Sequence, residues 1–215
     1  MFNSAIKAGF YAALVSLFLC APARAQEFAP AEQKMMLEKI QAYLNNITTM
    51  KAHFSQGNQD GTVDSGTFYL RRPGRLRFEY DAPKSDYIVA DGLLVHYWDN
   101  GVKNYSNAPI GSTPADFLLR KKIKLSGDLE VAALRRPEKN TLVLTLVESK
   151  NPQAGDVRLM FSENPLQLQK WRVADGTGNV TEVSLSTIQT GIQLPATLFI
   201  FKPPKGFDTD WENTR

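Results

Sequence analysis

The chain has 215 residues and a formal net charge of +3, from 25 basic and 22 acidic side chains. Hydrophobic residues make up 43% of it, enough for a substantial apolar core at this length. The near balance of charge excludes the strongly basic surface typical of nucleic-acid binding, so we expect no nucleic-acid partner.

The first 25 residues have the three parts of a secretory signal peptide. Lys7 supplies positive charge near the start, residues 10–20 form a short apolar core, and residues 23–25 are an A-x-A cleavage site. Such a core is too short to span a bilayer comfortably, which disfavours the alternative of a transmembrane anchor. We therefore predict cleavage before Gln26 and export to the periplasm.

The one cysteine of the chain, Cys20, lies within this predicted signal peptide. A lipidated cysteine normally follows a small residue, whereas Leu19 precedes this one, which disfavours lipidation. Cleavage would leave 190 residues with 23 basic side chains, 22 acidic side chains and no cysteine. An exported protein without cysteines cannot form disulfides and depends on its core, as suits a bacterial periplasm.

Two periodicities follow in the predicted mature chain. Residues 32–46 predict an amphipathic helix that ends near Asn45-Asn46, because their apolar side chains have helical spacing at Met36, Ile40, Tyr43 and Leu44. From residue 50 the apolar period becomes two, which predicts β-strands. Turn sequences divide these strands into a meander of antiparallel hairpins, at Asp60-Gly61, Pro73-Gly74, Asp91-Gly92 and Asn100-Gly101.

A short apolar helix interrupts the strand pattern at residues 113–119. Thr113 is the predicted N-cap and Pro114 the predicted first helical residue, followed by the apolar run Phe117, Leu118 and Leu119. Alternating segments then resume and predict further strands at residues 129–134, 141–148, 156–162, 166–175, 179–190 and 196–201. We predict one domain over residues 26–215 with ten or eleven antiparallel strands.

The sequence offers little for catalysis or for metal binding. Its two histidines, His53 and His96, lie in strand-like segments, and no H-E-x-x-H is present. No G-x-S-x-G, phosphate-binding loop or dinucleotide fingerprint occurs either. We therefore predict no enzyme activity, no cofactor and no metal site, although scattered carboxylates could still meet in space.

The segment FYLRRPGRLRFEY, residues 68–80, places an arginine where alternation predicts an apolar side chain. Phe68 and Leu70 share one face of a strand, and the next position on that face is Arg72. A buried guanidinium needs acceptors for its donors, such as backbone carbonyls or a carboxylate. The alternative is that strand parity fails beside the turn and that Arg72 reaches solvent.

The apolar face of the predicted sheet is unusually rich. A curved sheet covered by only a few helices either fills its concave side with side chains or leaves a cavity for an apolar ligand. The sequence pattern leaves both possibilities open. The side chains assigned to this face are Phe54, Phe68, Leu70, Leu76, Phe78, Tyr80, Val89, Val95, Tyr97, Leu142, Leu144, Leu146, Leu159 and Phe161.

Five segments together match landmarks of one known family, in its order and across nearly the whole mature chain. They are FSQ at 54–56, SGTFYLRRPGRLRFEY at 65–80, IVADGLLVHYWD at 88–99, TPADFLL at 113–119 and FIFKPPKGF at 199–207. The chain thereby resembles the LolA family of periplasmic outer-membrane lipoprotein carriers. The resemblance implies an α+β fold, in which a curved antiparallel sheet of about 11 strands forms an incomplete, half-open β-barrel covered by a helical lid.

The resemblance also implies a carrier that catalyses no reaction and uses no cofactor. Its cavity, expected to be lined by the first eleven side chains of the apolar face, would take the acyl chains of outer-membrane-directed lipoproteins. The LolCDE transporter would release this cargo from the inner membrane, and a LolB-like acceptor would receive it at the outer membrane. We expect a monomer.

The arginine of the family's R-P motif corresponds to Arg72. The resemblance implies that this arginine faces the cavity and holds lid backbone groups by hydrogen bonds, which closes the empty carrier. The lid would include residues 114–119, beginning at Pro114, with Phe117 and Leu118 on its inner side. The chain departs from the family at Gly74-Arg75, where an aromatic side chain near the rim is replaced.

Three other functions stay open at this point. The same scaffold could carry a free lipid or glycolipid. It could be a sensor module, although such proteins generally carry a second domain, or a lipid hydrolase, which would need a nucleophile that the sequence does not single out. The basic run at residues 120–124 is interpreted as a solvated helix end, with a docking surface for an acidic partner as the alternative.

Overall fold

The computed structural model describes residues 28–58, 60–113 and 116–204, so the predicted signal peptide lies outside the described residues. The α-helices of this part of the chain are α1 (Pro30–Asn46) and α2 (Asp116–Leu119), and 3-10 turns cover Ile110–Ser112, Pro152–Ala154 and Ala196–Phe199. The strands are β1 (Thr49–Gly57), β2 (Val63–Arg71), β3 (Arg75–Tyr80), β4 (Tyr87–Asp91), β5 (Leu94–Asp99), β6 (Asn104–Pro109), β7 (Leu129–Glu138), β8 (Thr141–Glu148), β9 (Gly155–Glu163), β10 (Leu166–Asp175) and β11 (Val180–Thr190).

The eleven strands form one antiparallel sheet in the order β6-β5-β4-β3-β2-β1-β11-β10-β9-β8-β7. The chain starts in the middle of the sheet with β1, winds outward to the edge strand β6, crosses by way of α2 to the other edge strand β7, and winds back until β11 pairs with β1. Within the described residues the two edge strands do not pair, so the sheet curves without closing. The predicted incomplete barrel with a helical cover is confirmed.

Alternation places the apolar side chains of β2 and β3 on the concave face of the sheet. Phe68 pairs with Phe78 across the two strands, and both are buried, whereas Arg75 and Arg77 lie on the outer face. The sheet curves enough for distant strands to meet across its concave side, since the ring centroids of Phe78 in β3 and Trp171 in β10 are 6.3 Å apart.

Val89 lies on the outer face of the sheet, so its predicted place in the cavity was wrong. In β4 it pairs with Arg77, which shares that outer face, and it packs in a separate small cluster with Trp98 and Phe201. Its strand contains the unbroken apolar run YIVA at 87–90. Such a run carries no alternation, and the sequence therefore could not show which of its residues face inward.

Helix α1 covers one end of the concave face. It begins at Pro30, two residues before the predicted start, and proline suits the first helical position. Its inward side chains Ile40 and Leu44 are 0% exposed. The backbone N–H of Leu168 in β10 donates to the hydroxyl of Tyr43 at 2.9 Å. None of the helices in the described residues has the length and apolar character needed to cross a membrane.

Helix α2 is shorter than the predicted segment at 113–119. Thr113 closes the preceding 3-10 turn, because its backbone N–H and its hydroxyl both donate to the carbonyl of Ile110. The helix begins at Asp116, whose backbone N–H donates to the Thr113 carbonyl at 3.1 Å. Its buried residues are Phe117, Leu118 and Leu119. The predicted first helical residue, Pro114, lies outside the described residues.

The strand predicted at residues 196–201 was wrong. The segment instead contains the 3-10 turn Ala196–Phe199 and then continues as irregular chain. A further strand had no place beside β11, because β1 and β10 already occupy both of its sides. The segment packs Phe201 against the outer face, where the hydroxyl of Tyr87 donates to the carbonyl of Lys202 at 2.5 Å.

Gly66 of β2 allows two aromatic side chains to meet across it. It pairs with Phe54 of β1 on one side and with Tyr80 of β3 on the other. The two rings meet edge-on above it, with centroids 5.0 Å apart. A Cβ atom added to Gly66 would lie 2.0 Å from the carbonyl oxygen of Glu79 and 2.7 Å from Cε1 of Phe54. The position therefore has no room for a side chain.

We expect Gly66→Ala to lower the free energy of unfolding by on the order of 2 kcal/mol, because the strands must move apart to admit the methyl group. Urea unfolding measures the change. Gly57→Ala is the matched control in a neighbouring strand, since nothing lies within 4 Å of a Cβ added there. Equal stability of the two variants would contradict the crowding at Gly66.

Candidate ligand cavity and lid

Arg72 joins the turn between β2 and β3 to both helices. Its Nε donates to the carbonyl of Leu118 in α2 at 2.6 Å, and its Nη1 donates to the carbonyl of Leu44 in α1. Two residues further on, the backbone N–H of Gly74 donates to the carbonyl of Leu119 at 2.9 Å. Strand parity therefore placed Arg72 correctly on the concave side, and the guanidinium finds backbone acceptors there.

The carbonyls that hold Arg72 lie in the last turns of the two helices, where acceptors lack intrahelical donors and carry partial negative charge. Burial lowers the pKa of the Arg72 guanidinium to about 10, so it stays charged at neutral pH. None of the ion pairs found among the described residues includes Arg72. Its desolvation is thus offset by neutral carbonyl groups rather than by a carboxylate.

Side-chain amides of α1 hold the segment that follows α2. Asn45 donates through Nδ2 to the carbonyl of Ile123 at 2.9 Å and accepts through Oδ1 from the Ile123 backbone N–H at 2.8 Å. Gln41 accepts from the backbone N–H of Leu125 at 2.9 Å. Local sequence pattern does not reveal these hydrogen bonds, because Asn45 and Ile123 lie 78 residues apart.

The basic run at residues 120–124 divides into two parts. Arg120 forms ion pairs with Asp116 of α2 at 2.6 Å and with Asp128, just before β7, at 2.7 Å. The three lysines, by contrast, are exposed at positions 121, 122 and 124. Arg120 therefore connects the lid helix to the strand that follows it.

Two cavities border the side chain of Phe117 in α2. The first has a volume of about 250 Å³ and a wall that includes Leu76, Phe78, Ile88, Leu118, Trp171 and Val183. The second, of about 290 Å³, lies against β7 to β10 and is lined in part by Leu129, Leu146 and Val157. A larger cavity of about 670 Å³, beside Arg136 and Glu163, is lined mainly by polar and charged residues and does not suit an apolar ligand.

The predicted cavity residues fall into several environments. Leu76, Phe78 and Tyr80 line the first cavity, as do the predicted lid residues Phe117 and Leu118. Five others pack in the concave core, each 2% exposed or less: Phe54, Phe68, Leu70, Leu142 and Leu144. That these residues bind acyl chains stays a prediction.

Two predicted cavity residues lie toward the edge strand β6. Val95 is partly buried against the concave core. Tyr97 lies outside the apolar cavities, because its hydroxyl donates to the buried carboxylate of Asp86 at 3.0 Å and it borders a polar cavity. Together with Val89 on the outer face, Tyr97 is a residue that the structure does not bring to the candidate site.

Trp171 is a cavity residue that sequence reasoning missed. Its centroid is 5.6 Å from that of Phe68, and it lines the first cavity beside Phe117. The register of β10 against β9 shifts between Leu168 and Lys170, so a bulge reverses the parity of the residues that follow. The strand sequence alone contains no mark of that bulge.

An antiparallel sheet that curves without closing, with a helical lid over an apolar concave face, defines the class of lidded half-barrels. The family model described as "Outer membrane lipoprotein carrier protein LolA" matches residues 45–202, and the chain belongs to the LolA family. Members of this family that carry outer-membrane lipoproteins are periplasmic chaperones without enzymatic activity.

Several known proteins are similar to this chain. It is 36% identical over 184 residues to an outer-membrane lipoprotein carrier protein of Legionella pneumophila (strain Corby). The alignment covers 80% of this chain and 87% of that protein. It is 30% identical over 189 residues to the protein of that name in Ralstonia nicotianae, and the alignment covers 80% of this chain and 85% of that protein. The crystal structure of a LolA superfamily protein from Nitrosomonas europaea has a TM-score of 0.43 at 10% identity, with 77% and 97% covered.

We expect Arg72→Leu to loosen the lid without unfolding the sheet. Loss of two charge-assisted hydrogen bonds should lower the exchange protection of backbone amides in residues 119–125 by about tenfold or more. Hydrogen exchange read by mass spectrometry measures this protection. The matched control is Arg75→Leu, at the same turn but on the outer face. Equal protection in both variants would show that Arg72 does not hold the lid.

Proposed function

We propose that this chain is a periplasmic lipoprotein carrier. It binds the acyl chains of lipoproteins that a LolCDE-type transporter releases from the inner membrane, and it delivers them to a LolB-like acceptor at the outer membrane. The observation that carries this proposal is an apolar concave face closed by a lid that depends on a few hydrogen bonds. Membership of the LolA family and the names of the relatives support it.

In this proposal the two parts of the chain have the roles that the sequence predicts for them. Residues 1–25 are a cleaved signal peptide, and residues 26–215 act as a single carrier domain. The carrier works as a monomer, without catalysis and without a cofactor. Among the described residues no group of three or more His, Cys, Asp or Glu side chains is placed to hold a metal ion.

Loading requires the lid to move. The two cavities that border Phe117 have volumes of about 250 and 290 Å³, each below the range of sites that bury drug-sized molecules. A lipid with long acyl chains is larger than such molecules. Displacement of α2 removes Phe117 from the walls of both cavities and opens the concave face to the chains.

We call Arg72 the latch residue, because its hydrogen bonds hold the lid closed. Its surroundings keep the free-energy cost of displacing α2 small. In the closed carrier, Arg72 is partly buried on the carbonyls of Leu44 and Leu118. When the lid lifts, its guanidinium regains water, which offsets the broken hydrogen bonds. The acyl chains then cover the apolar surface that the lid covered before, so the loaded carrier exposes no large apolar patch.

Release follows from the reverse exchange. A carrier without an energy source moves cargo in one direction only when the acceptor binds that cargo more tightly. Closure of α2 on the empty cavity, held by Arg72, lowers the free energy of the unloaded carrier. Because bound cargo keeps the lid open, Arg72 makes these hydrogen bonds only in the empty carrier. They therefore lower the affinity of the carrier for its cargo and favour transfer to the acceptor.

A transfer assay tests this function. Purified mature protein is incubated with spheroplasts that contain newly made lipoprotein, and we expect a soluble one-to-one complex in the supernatant. Arg72→Leu should form this complex but release cargo to acceptor membranes roughly tenfold more slowly, because the empty closed state loses its latch. Arg75→Leu should release cargo at the rate of the unaltered protein.

Two outcomes would overturn parts of this account. Unchanged release by Arg72→Leu would remove the latch from the mechanism. Absence of any soluble complex, beside a functioning carrier in parallel, would contradict the lipoprotein function. Native mass spectrometry of the purified protein would then show whether a free lipid or glycolipid occupies the cavity instead.

A further inference from the structure

Four polar side chains cluster near the ends of β1, β2 and β3 that lie farthest from Arg72. Two of them, Gln56 and Tyr80, line the first cavity, and the other two, Asp64 and Lys84, line a polar cavity. We call Gln56, Asp64, Tyr80 and Lys84 the polar collar. The hydroxyl of Tyr80 donates to Oε1 of Gln56 at 2.8 Å. Nζ of Lys84 lies 2.6 Å from Oδ2 of Asp64 and 4.6 Å from the centroid of the Tyr80 ring. The collar is therefore a connected set rather than a scatter of surface groups.

The backbone fixes Tyr80 at the boundary between the collar and the apolar cavity. Because Gly66 has no side chain, the Tyr80 ring leans across β2 onto Phe54, with centroids 5.0 Å apart. This places its hydroxyl beside Gln56 of β1, two strands away. Both Tyr80 and Gln56 line the first cavity, together with apolar side chains such as Phe78.

The hydroxyl of Tyr80 is a hydrogen-bond donor at all physiological pH values, since burial raises its pKa to about 12. The second donor is the side-chain amide of Gln56. Its Nε2 makes only a long hydrogen bond, 3.3 Å from Oδ1 of Asn58. Two donors thus lie at the edge of a wall that is mainly apolar and that also includes Asp175, Asn179 and Thr181. Polar groups placed in this way fix the orientation of a ligand in an apolar cavity.

The chemistry of an acyl lipid matches this arrangement. Its chains are apolar, and the first polar group that follows each ester-linked chain is a carbonyl, which accepts hydrogen bonds and donates none. Chains that lie against Phe78 and Trp171 bring these carbonyls to the boundary where the Tyr80 hydroxyl lies. An unbonded carbonyl at a partly dry boundary is unfavourable, so a donor there contributes to affinity.

We propose that Tyr80 and Gln56 bind the ester carbonyl groups of the cargo lipid and so set how deeply its acyl chains enter. This inference rests on the proposed carrier function and adds a specificity for acyl esters to it. On loading, the Tyr80 hydroxyl turns from Oε1 of Gln56 to an ester carbonyl, and the Gln56 amide donates to a neighbouring one. In the empty carrier the Tyr80 hydroxyl is positioned by Oε1 of Gln56, and Nε2 of Gln56 is positioned by Oδ1 of Asn58.

The test compares two lipids on two proteins. The probes are a dipalmitoyl-glyceryl-cysteine peptide and its dihexadecyl ether analogue, which has similar chains but no carbonyl groups. Affinity is measured by competition against a dansyl-labelled copy of the ester peptide. The unaltered protein should bind the ester peptide about fivefold more tightly than the ether, the effect of one hydrogen bond. Tyr80→Phe should reduce that preference, because it weakens binding of the ester peptide more than binding of the ether.

Tyr69→Phe is the matched control, since Tyr69 lies on the outer face of β2, paired with Arg77. It should keep the ester preference. If the unaltered protein shows no preference, or if Tyr80→Phe keeps it, the inference is overturned while the carrier function stands. If the unaltered protein binds neither lipopeptide, the proposed carrier function is overturned together with the inference.

Discussion

The closed molecule depends on a guanidinium held between the ends of two helices. Arg72 follows β2 directly, and its side chain binds carbonyls of α1 and of α2. The sheet and both helices that cover it are thereby joined at one turn. Because the acceptors are neutral, the arginine is not fixed by a counterion, and the same group can return to water when the lid leaves. A latch of this kind is strong enough to hide apolar surface and weak enough to release.

The topology of the sheet explains why the lid can move without disturbing the strands. The strands β6 and β7 are the opposite edges of the sheet, and the chain between them crosses the concave side, where Phe117, Leu118 and Ile123 are buried in the core. The lid helix α2 belongs to this crossover, whose described residues, 110–113 and 116–128, contribute no strand to the sheet. Lifting α2 therefore breaks no hydrogen bond between strands. The hydrogen bonds that break include those that Arg72, Gly74, Asn45 and Gln41 make with the crossover.

Much of this architecture could be predicted from local pattern. The turn sequences and the strict alternation in β2 and β3 determined which side chains of these strands face inward, and parity alone placed Arg72 among them. The lid helix was recognisable as an apolar interruption between strands. These features are readable because each depends on neighbours within a few residues.

The parts that could not be predicted depend on contacts between distant residues. Val89 was assigned to the wrong face because its strand carries an unbroken apolar run, and Trp171 was missed because a bulge shifts the parity of β10. The bonds between Asn45 and Ile123 join segments 78 residues apart. The segment at 196–201 looked like a strand, but the sheet had no free position beside β11 for it.

The most direct test of the account asks whether acyl chains occupy the concave face beneath α2. The chain has three tryptophans, of which Trp171 lines the cavity and Trp98 lies in the cluster on the outer face. Two variants each keep one of these, with the other and Trp211 replaced by Phe. A diacyl lipopeptide with brominated chains should quench the Trp171 variant strongly and the Trp98 variant little. Quenching of Trp98 without quenching of Trp171 would place the lipid on the wrong face and contradict the account.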